Sequence, residues 1–164
     1  MLGGTGLNLR DVKTEVEELL DAYVQCLDDG RYEEWPGFFV EENPVYRIIS
    51  RENYDRGLEL ATMSCESRGM MEDRVVAIRN AVVYSPQYLR HLVGAVRVTG
   101  QDGDAYKIQS NYAVFNTTRN EETRVFNTGR YLDEVVFVGG APKFRRKVVV
   151  YDTVQIPSML VIPL

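Results

Sequence analysis

The sequence predicts an α+β domain in which a curved, mainly antiparallel sheet wraps around one long N-terminal helix. Apolar residues recur with helical spacing from Val16 to Leu27, which lays one buried stripe along a helix. From Ala81 onward, long runs rich in β-branched and aromatic residues alternate with short polar turns, which is typical of an antiparallel meander. With 164 residues, the chain has the length of a single domain.

Three helices are predicted before the meander. The first runs from Leu9 or Asp11 to residue 28, with Asn8 or Asp11 available as its N-cap. A short second helix should have Pro36 in its first turn, where the missing N–H costs nothing. A third covers residues 68–79, whose methionines are expected to fill gaps in the core.

The predicted strands leave little of the remaining chain unassigned. They cover residues 45–50, 81–85, 90–99, 105–118, 123–138 and 144–153. Gly129 lies within a strand and predicts a bend or bulge where the sheet curls. Residues 1–10 are expected to form a flexible leader, and residues 11–164 one domain.

Composition excludes several function classes. The formal net charge is −5 and the basic residues are scattered, so nucleic acid is not an expected partner. No apolar run approaches the roughly 20 residues that cross a bilayer, and we expect a cytoplasmic protein. Cys26 and Cys65 are too few for a disulfide scaffold and should be small buried residues.

The side-chain inventory limits the chemistry further. His91 is the single histidine, whereas a Rieske cluster needs two histidines and two cysteines, and a mononuclear iron site needs two histidines and a carboxylate. The sequence therefore predicts no metal and no cofactor in this chain. Acid–base catalysis by His91 with a carboxylate such as Asp133 remains open, as does a purely structural histidine.

Other polar and apolar groups have structural interpretations. Asp73 with Arg74, and Tyr131 with Asp133, are expected to be buried charge anchors rather than catalysts. Basic residues alternate along the last strand and predict a solvated face or a subunit contact: Lys143, Arg145, Arg146 and Lys147. The apolar segment 159–164, which includes Leu160 and Leu164, should pack against the domain or a neighbouring subunit.

Together these residues resemble one family, the small (beta) subunits of Rieske-type aromatic-ring-hydroxylating dioxygenases. The resemblance covers residues 16–164 and departs from the family pattern at Phe144, where many relatives have tryptophan. Its carriers keep their order and spacing along the chain: Tyr23, Leu27-Asp28, Trp35, Phe38-Phe39, Met71, Asp73-Arg74, Ile78, Arg90-His91, Gly129, Tyr131, Asp133, Arg145 or Arg146, and Asp152.

The resemblance implies a cystatin-like cone, the fold of ketosteroid isomerase and scytalone dehydratase. It also implies a non-catalytic subunit whose large (alpha) partner holds the Rieske cluster and the mononuclear iron. Three copies of each subunit would assemble, with this chain forming the homotrimer, and a reductase would supply electrons indirectly. Trp35, Phe39, Arg90 and His91 would then be structural anchors, and Arg145, Arg146, Leu160 and Leu164 possible interface residues.

Two other functions remain compatible with the sequence. A free-standing isomerase, dehydratase or cyclase of the same fold would use His91 and a carboxylate at the bottom of an open cavity. A binding module would instead enclose a small apolar ligand in a dry cavity without convergent polar groups. The degree to which side chains fill the interior of the cone separates these alternatives from the assembly subunit.

Overall fold

The computed structural model describes residues 8–82, 87–118, 122–152 and 162–164. The helical elements are α1 (Leu9–Asp28), a 3₁₀ helix (Tyr32–Phe38), α2 (Arg51–Asp55) and α3 (Arg68–Val82). The strands are β1 (Val45–Ser50), β2 (Met63–Cys65), β3 (Gln87–Asp102), β4 (Ala105–Thr118), β5 (Arg124–Val138) and β6 (Ala141–Tyr151).

The six strands form one sheet in the order β2-β1-β6-β5-β4-β3. Only the β1–β6 pair is parallel, so the predicted mainly antiparallel sheet is confirmed. Helix α1 packs against both β3 and β6, although β4 and β5 lie between those two strands. The sheet must therefore curve around α1, as the sequence predicted.

Helix α1 begins where its N-cap satisfies free backbone donors. The Asn8 side chain accepts hydrogen bonds from the backbone N–H groups of Arg10 and Asp11, at 2.9 and 3.1 Å. The leader was predicted to extend to residue 10, but Leu9 and Arg10 belong to the helix. The helix ends before Gly30, whose φ of 69° suits glycine. Residues 1–7 lie outside the described part of the chain.

An aromatic cluster forms the centre of the core. Trp35 and Phe39, both predicted to be structural anchors, are 0% and 2% exposed. The Tyr46 ring meets both edge-to-face, at centroid distances of 5.1 and 6.0 Å. Tyr23 on α1 makes a similar contact with Phe144 on β6, at 5.5 Å. The contacts join α1, the 3₁₀ helix, β1 and β6 around a single core.

Gly129 allows β5 and β6 to approach closely. A Cβ atom at this position would lie 2.0 Å from the backbone oxygen of Val150. The register shift against β4 lies nearby, because Val114 pairs with Asn127 whereas the next residue, Phe115, pairs with Val125. The bulged residue is thus Phe126 rather than the predicted Gly129, and the glycine is needed for contact between strands.

Two predictions about these elements were wrong, and two short elements were missed. The strand predicted at residues 81–85 begins inside α3, because Ala81 and Val82 complete the helix and Val82 packs against the core; residues 83–86 lie outside the described residues. Pro36 is the fifth residue of the 3₁₀ helix, where i, i+3 spacing buries both Tyr32 and Trp35. The short elements α2 and β2 were not predicted.

Candidate functional site

The first buried polar pair in the interior joins the end of α1 to β3. Asp28 Oδ1 lies 2.6 Å from His91 Nδ1, and both carboxylate oxygens accept a hydrogen bond from the His91 backbone N–H. The two side chains are 4% and 0% exposed, respectively. Because the carboxylate accepts, Nδ1 donates. Nε2 is buried and has no hydrogen-bond partner within the described part of the chain.

The second pair joins β5 to β6. Lys147 Nζ lies 3.0 Å from Asp133 Oδ2, and neither side chain is exposed. The same ammonium group lies over three aromatic rings, 3.5 Å from the ring centroid of Tyr131, 4.6 Å from Phe144 and 4.7 Å from Tyr23. These rings surround the cation with negative π faces and offset part of the cost of removing it from water.

The protonation of this pair is governed by burial. Desolvation raises the pKa of Asp133 to about 6, against the lowering effect of the nearby Lys147 ammonium. Desolvation likewise lowers the pKa of Lys147, and the Asp133 carboxylate opposes that change. Both pKa shifts disfavour the charged forms of the two groups. The surrounding side chains hold the pair in place, and neither group is exposed to exchange protons with solvent.

Tyrosine hydroxyls make further hydrogen bonds in the interior. The Tyr23 hydroxyl donates to the backbone oxygen of Leu164 at 2.9 Å, and the backbone N–H of Leu164 donates to the Tyr46 hydroxyl at 2.9 Å. The Tyr112 hydroxyl donates to the side-chain oxygen of Asn127, and the Tyr112 ring stacks on that of Tyr131 at 4.5 Å. Residues 162–164 thus pack within their own domain, one of the two possibilities predicted for the segment 159–164, while residues 159–161 lie outside the described residues.

The structure separates the two residues that were predicted to act together in catalysis. His91 is paired with Asp28, whereas Asp133 is paired with Lys147. Four of the cavities lined by described residues have volumes of about 420, 310, 270 and 190 Å³. His91 lines none of these four, whereas Asp133 lines the one of about 270 Å³. A general base must lie within hydrogen-bond distance of the substrate atom whose proton it removes. Because His91 lines none of these four cavities, its position does not favour a free-standing enzyme.

The remaining predicted residues have mixed outcomes. Tyr131 is fully buried, whereas Asp73, predicted as a buried charge anchor, and Arg90, predicted as a structural anchor, are exposed. Arg90 lies between the buried residues Leu89 and His91 on β3, so its side chain takes the outer face of the strand. Arg74 is half-buried; burial raises the pKa of the Cys65 thiol, and the nearby Arg74 opposes that shift. Both cysteines are free and buried, as predicted.

The basic residues of β6 do not share one face. Arg145 binds Asp104 and Glu134, at 3.1 and 3.3 Å, and Arg146 is half-buried. Lys147 is buried, so its assignment to a solvated face or subunit contact was wrong. Leu164 is 0% exposed within the chain and therefore offers no surface for the interface predicted there, while Leu160 lies outside the described residues.

Sequence reasoning missed Asp28 and Lys147 as parts of the interior. Asp28 is the last residue of α1, and its partner His91 lies 63 positions further along the chain. Local spacing gives no signal for such a pair. For Lys147, an inward position could have been suspected from its place before the apolar run Val148–Val150, but strand alternation alone did not predict it.

Within residues 8–82, 87–118, 122–152 and 162–164, no group of three or more His, Cys, Asp or Glu side chains is arranged to hold a metal ion. None of the helices in the described part of the chain has the length and apolar character needed to span a bilayer.

Comparison with known proteins adds evidence from sequence and fold. A family model described as "Ring hydroxylating beta subunit" matches residues 22–158. The chain is 34% identical to the anthranilate 1,2-dioxygenase small subunit of Burkholderia cepacia over 94% of this chain and 96% of that protein. Identity to the terephthalate 1,2-dioxygenase terminal oxygenase component subunit beta 2 of Comamonas sp. is 27%, over 87% of this chain and 92% of that protein.

A solved structure has the same architecture. It is a Novosphingobium aromaticivorans protein described as the beta subunit of an aromatic-ring-hydroxylating dioxygenase. The two chains superpose with a TM-score of 0.86 at 39% sequence identity, covering 94% of this chain and 98% of that one. The predicted cone fold is thereby confirmed.

Proposed function

Because the chain belongs to the family of ring hydroxylating beta subunits, we propose that it is the non-catalytic structural subunit of an aromatic-ring dioxygenase. In this role it binds a large (alpha) subunit, which carries the Rieske cluster and the mononuclear iron. The chain itself supplies no group to the oxidation. Its task is to hold the large subunits in the arrangement that their electron transfer requires.

The observation that supports this role is the pairing of buried polar side chains among the described residues of the interior. Where a cone-fold enzyme would need space for a substrate, Lys147, Asp133 and Tyr131 contact one another. His91 donates to Asp28 in the same interior, and both side chains are almost fully buried. His91 and Asp133 thus each have an ionisable partner in this interior, although His91 Nε2 and Asp133 Oδ1 have no hydrogen-bond partner among the described residues. Catalysis is left to the partner subunit.

The proposal includes a defined assembly. Three copies of this chain form a homotrimer within a complex of three large and three small subunits, and a reductase supplies electrons indirectly. We place this complex in the cytoplasm. The free thiols of Cys26 and Cys65 are compatible with a reducing compartment, where disulfides are rare.

The substrate class follows from the relatives. Anthranilate and terephthalate, named for two of them, are both single aromatic rings that carry a carboxylate. We propose a ring of this class as the substrate of the complex, with the large subunit forming the substrate pocket. The sequence itself has a similar implication, because its segment from Tyr46 to Leu58 and the residues Tyr88, Arg90 and His91 resemble beta subunits of salicylate and terephthalate systems.

The test uses the chain alone and together with the large subunit from the same gene cluster. The purified chain should not consume oxygen or convert benzoate, anthranilate or terephthalate, even with a reductase and NADH. Adding the large subunit should produce a stable complex and hydroxylated product. Product formation by the isolated chain would refute the proposal, as would full activity of the large subunit with no association between the two chains.

A further inference from the structure

A second, smaller apolar cluster lies on the sheet face that is turned away from α1. Ile49, Val148 and Val150 are 6%, 6% and 0% exposed there, and Leu132 packs against them. On β6, Val149 belongs to the main core, so its neighbours Val148 and Val150 point to the opposite face. Ile49 and Val148 also line a cavity of about 190 Å³, which is therefore separate from the interior of the cone.

The segment that follows β1 forms another wall of this cavity. Tyr54 and Leu58 line it and are 40% and 42% exposed. The Leu58 backbone N–H donates to the Asn53 backbone oxygen at 2.9 Å, and the Asn53 side chain donates to the Leu60 backbone oxygen at 3.0 Å. The Arg130 guanidinium lies 5.5 Å from the centroid of the Tyr54 ring. Walls that are already held in place reduce the ordering cost of binding.

Arg146 lies at the same cavity and has no counterion there. Its neighbours on β6, Arg145 and Lys147, are paired with carboxylates, whereas Arg146 forms no ion pair with a residue in the described part of the chain. Glu134 is directly across the strand pair from Arg146, but it binds Arg145 at 3.3 Å. A half-buried guanidinium without a counterion favours the binding of an anion.

Arg47 is the second basic residue that lines the cavity. Its Nη2 donates to Glu66 at 2.5 Å, and its Nε has no hydrogen-bond partner among the described residues. A guanidinium has five N–H donors, so Arg47 keeps donors beyond the one that Glu66 uses. Glu59 is the acidic residue among those that line this cavity, and it is exposed. With two arginines and one glutamate, the lining is positive overall.

We propose that this Arg47–Arg146 cavity binds a small molecule that carries a carboxylate on a single apolar ring. The carboxylate binds the two guanidinium groups, and the ring packs on Ile49 and Val148 beside Tyr54. A volume of about 190 Å³ is below the roughly 300 Å³ at which sites for drug-sized ligands begin, so one ring fits better than several. The site goes beyond the assembly role, because it requires neither turnover nor space inside the cone.

Titration of the full chain with benzoate, followed by ¹H–¹⁵N NMR, tests the site. The backbone amides of Gly57, Leu58 and Val148 should shift in a saturable way, with a dissociation constant of about 1 mM or lower. Benzamide has the same shape without the charge, and acetate has the charge without the ring. Each should bind at least about tenfold more weakly than benzoate. Because the isolated chain is titrated without turnover, a failure here is distinguishable from a failure of the assembly role.

Three variants locate the carboxylate. Arg146→Met should weaken benzoate binding at least about tenfold, since one of the two guanidinium groups is lost. Arg124→Met, which changes an exposed arginine at the first residue of β5, should leave the affinity unchanged. Glu59→Gln should strengthen binding by about twofold to fivefold, because it removes a like charge from an exposed position. The thermal midpoint of each variant shows that it is folded.

Several results would overturn the proposal. One is the lack of any saturable shift up to about 20 mM benzoate, and another is equal affinity for benzoate and benzamide. Binding that leaves the amides of Gly57, Leu58 and Val148 unchanged would place the ligand elsewhere and count against the site. An unaltered affinity in folded Arg146→Met would do the same, as would weaker binding in Glu59→Gln.

Discussion

Replacing Lys147 with methionine removes one member of an ion pair that lies inside the protein. Lys147 Nζ is 3.0 Å from Asp133 Oδ2, and both side chains are fully buried. Methionine keeps a long apolar side chain but leaves the Asp133 carboxylate without its cation. Removing one partner of a buried pair costs about 3–5 kcal/mol. We expect a loss of this size at pH 7.5.

The cost should depend on pH, and its sign follows from Asp133. Burial raises the pKa of Asp133 to about 6 while Lys147 opposes the shift, so the pKa in the variant must lie higher. A carboxyl group with a raised pKa stabilises the folded state most at pH below about 4. That contribution decreases by about 1.4 kcal/mol per pH unit until the pH reaches the pKa of the folded state. In the wild type, the stabilising contribution of Asp133 has decreased almost fully by pH 6. In the variant it continues to decrease above pH 6.

The assay is urea unfolding at fixed protein concentration, followed by circular dichroism and Trp35 fluorescence at pH 5.5 and 7.5. The free-energy cost of Lys147→Met should be about 2 kcal/mol larger at pH 7.5 than at pH 5.5. The double variant Lys147→Met/Asp133→Leu should recover most of the loss and its pH dependence. Arg146→Met, a half-buried change on the same strand, should cost less than about 1 kcal/mol. A small cost for Lys147→Met, or an equal cost at both pH values, would refute this account.

Three further variants test other parts of the fold. Gly129→Ala should cost about 3 kcal/mol or more in thermal unfolding because its Cβ would lie 2.0 Å from the Val150 oxygen, whereas Gly94→Ala, with open space around it, should be nearly neutral. Asn8→Ala should cost about 1 kcal/mol in urea unfolding by removing the N-cap of α1, and an unchanged midpoint would contradict that role. His91→Ala should lower stability by about 3 kcal/mol but leave turnover per assembled complex unchanged; lost turnover with intact assembly would show that His91 takes part in catalysis.

The outline of the fold was predictable because alternation and turn chemistry are local signals. The predicted boundaries of β1 and β4 agree with the structure, and β3 and β5 end at turns that contain Gly103-Asp104 and Gly139-Gly140. Elements whose existence depends on distant contacts were missed. Strand β2 has only three residues, and its pairing partner β1 holds it in place. No periodic pattern can be detected over so short a segment.

The interior pairs were harder to predict because strand register decides them. A two-residue turn at Gly139-Gly140 would place Asp133 opposite Arg146. In the structure, Val135 pairs with Phe144 but Glu134 pairs with Arg146, so Arg145 is an extra residue. The shift brings Lys147 opposite Asp133 and turns it into the interior. A single bulge therefore decides whether a lysine or an arginine meets the buried carboxylate.

Two of the interior polar contacts join elements that are distant in the chain. Asp28 and His91 connect the end of α1 to β3, and the backbone of Leu164 connects α1 to β1 through Tyr23 and Tyr46. Apolar packing tolerates small displacements, whereas a hydrogen bond weakens steeply when its geometry changes. The contacts consequently fix how the layers of the cone lie relative to one another. For a subunit whose role is to present its surface to other chains, that rigidity is itself functional, and interior substitutions should impair assembly before they affect any chemistry.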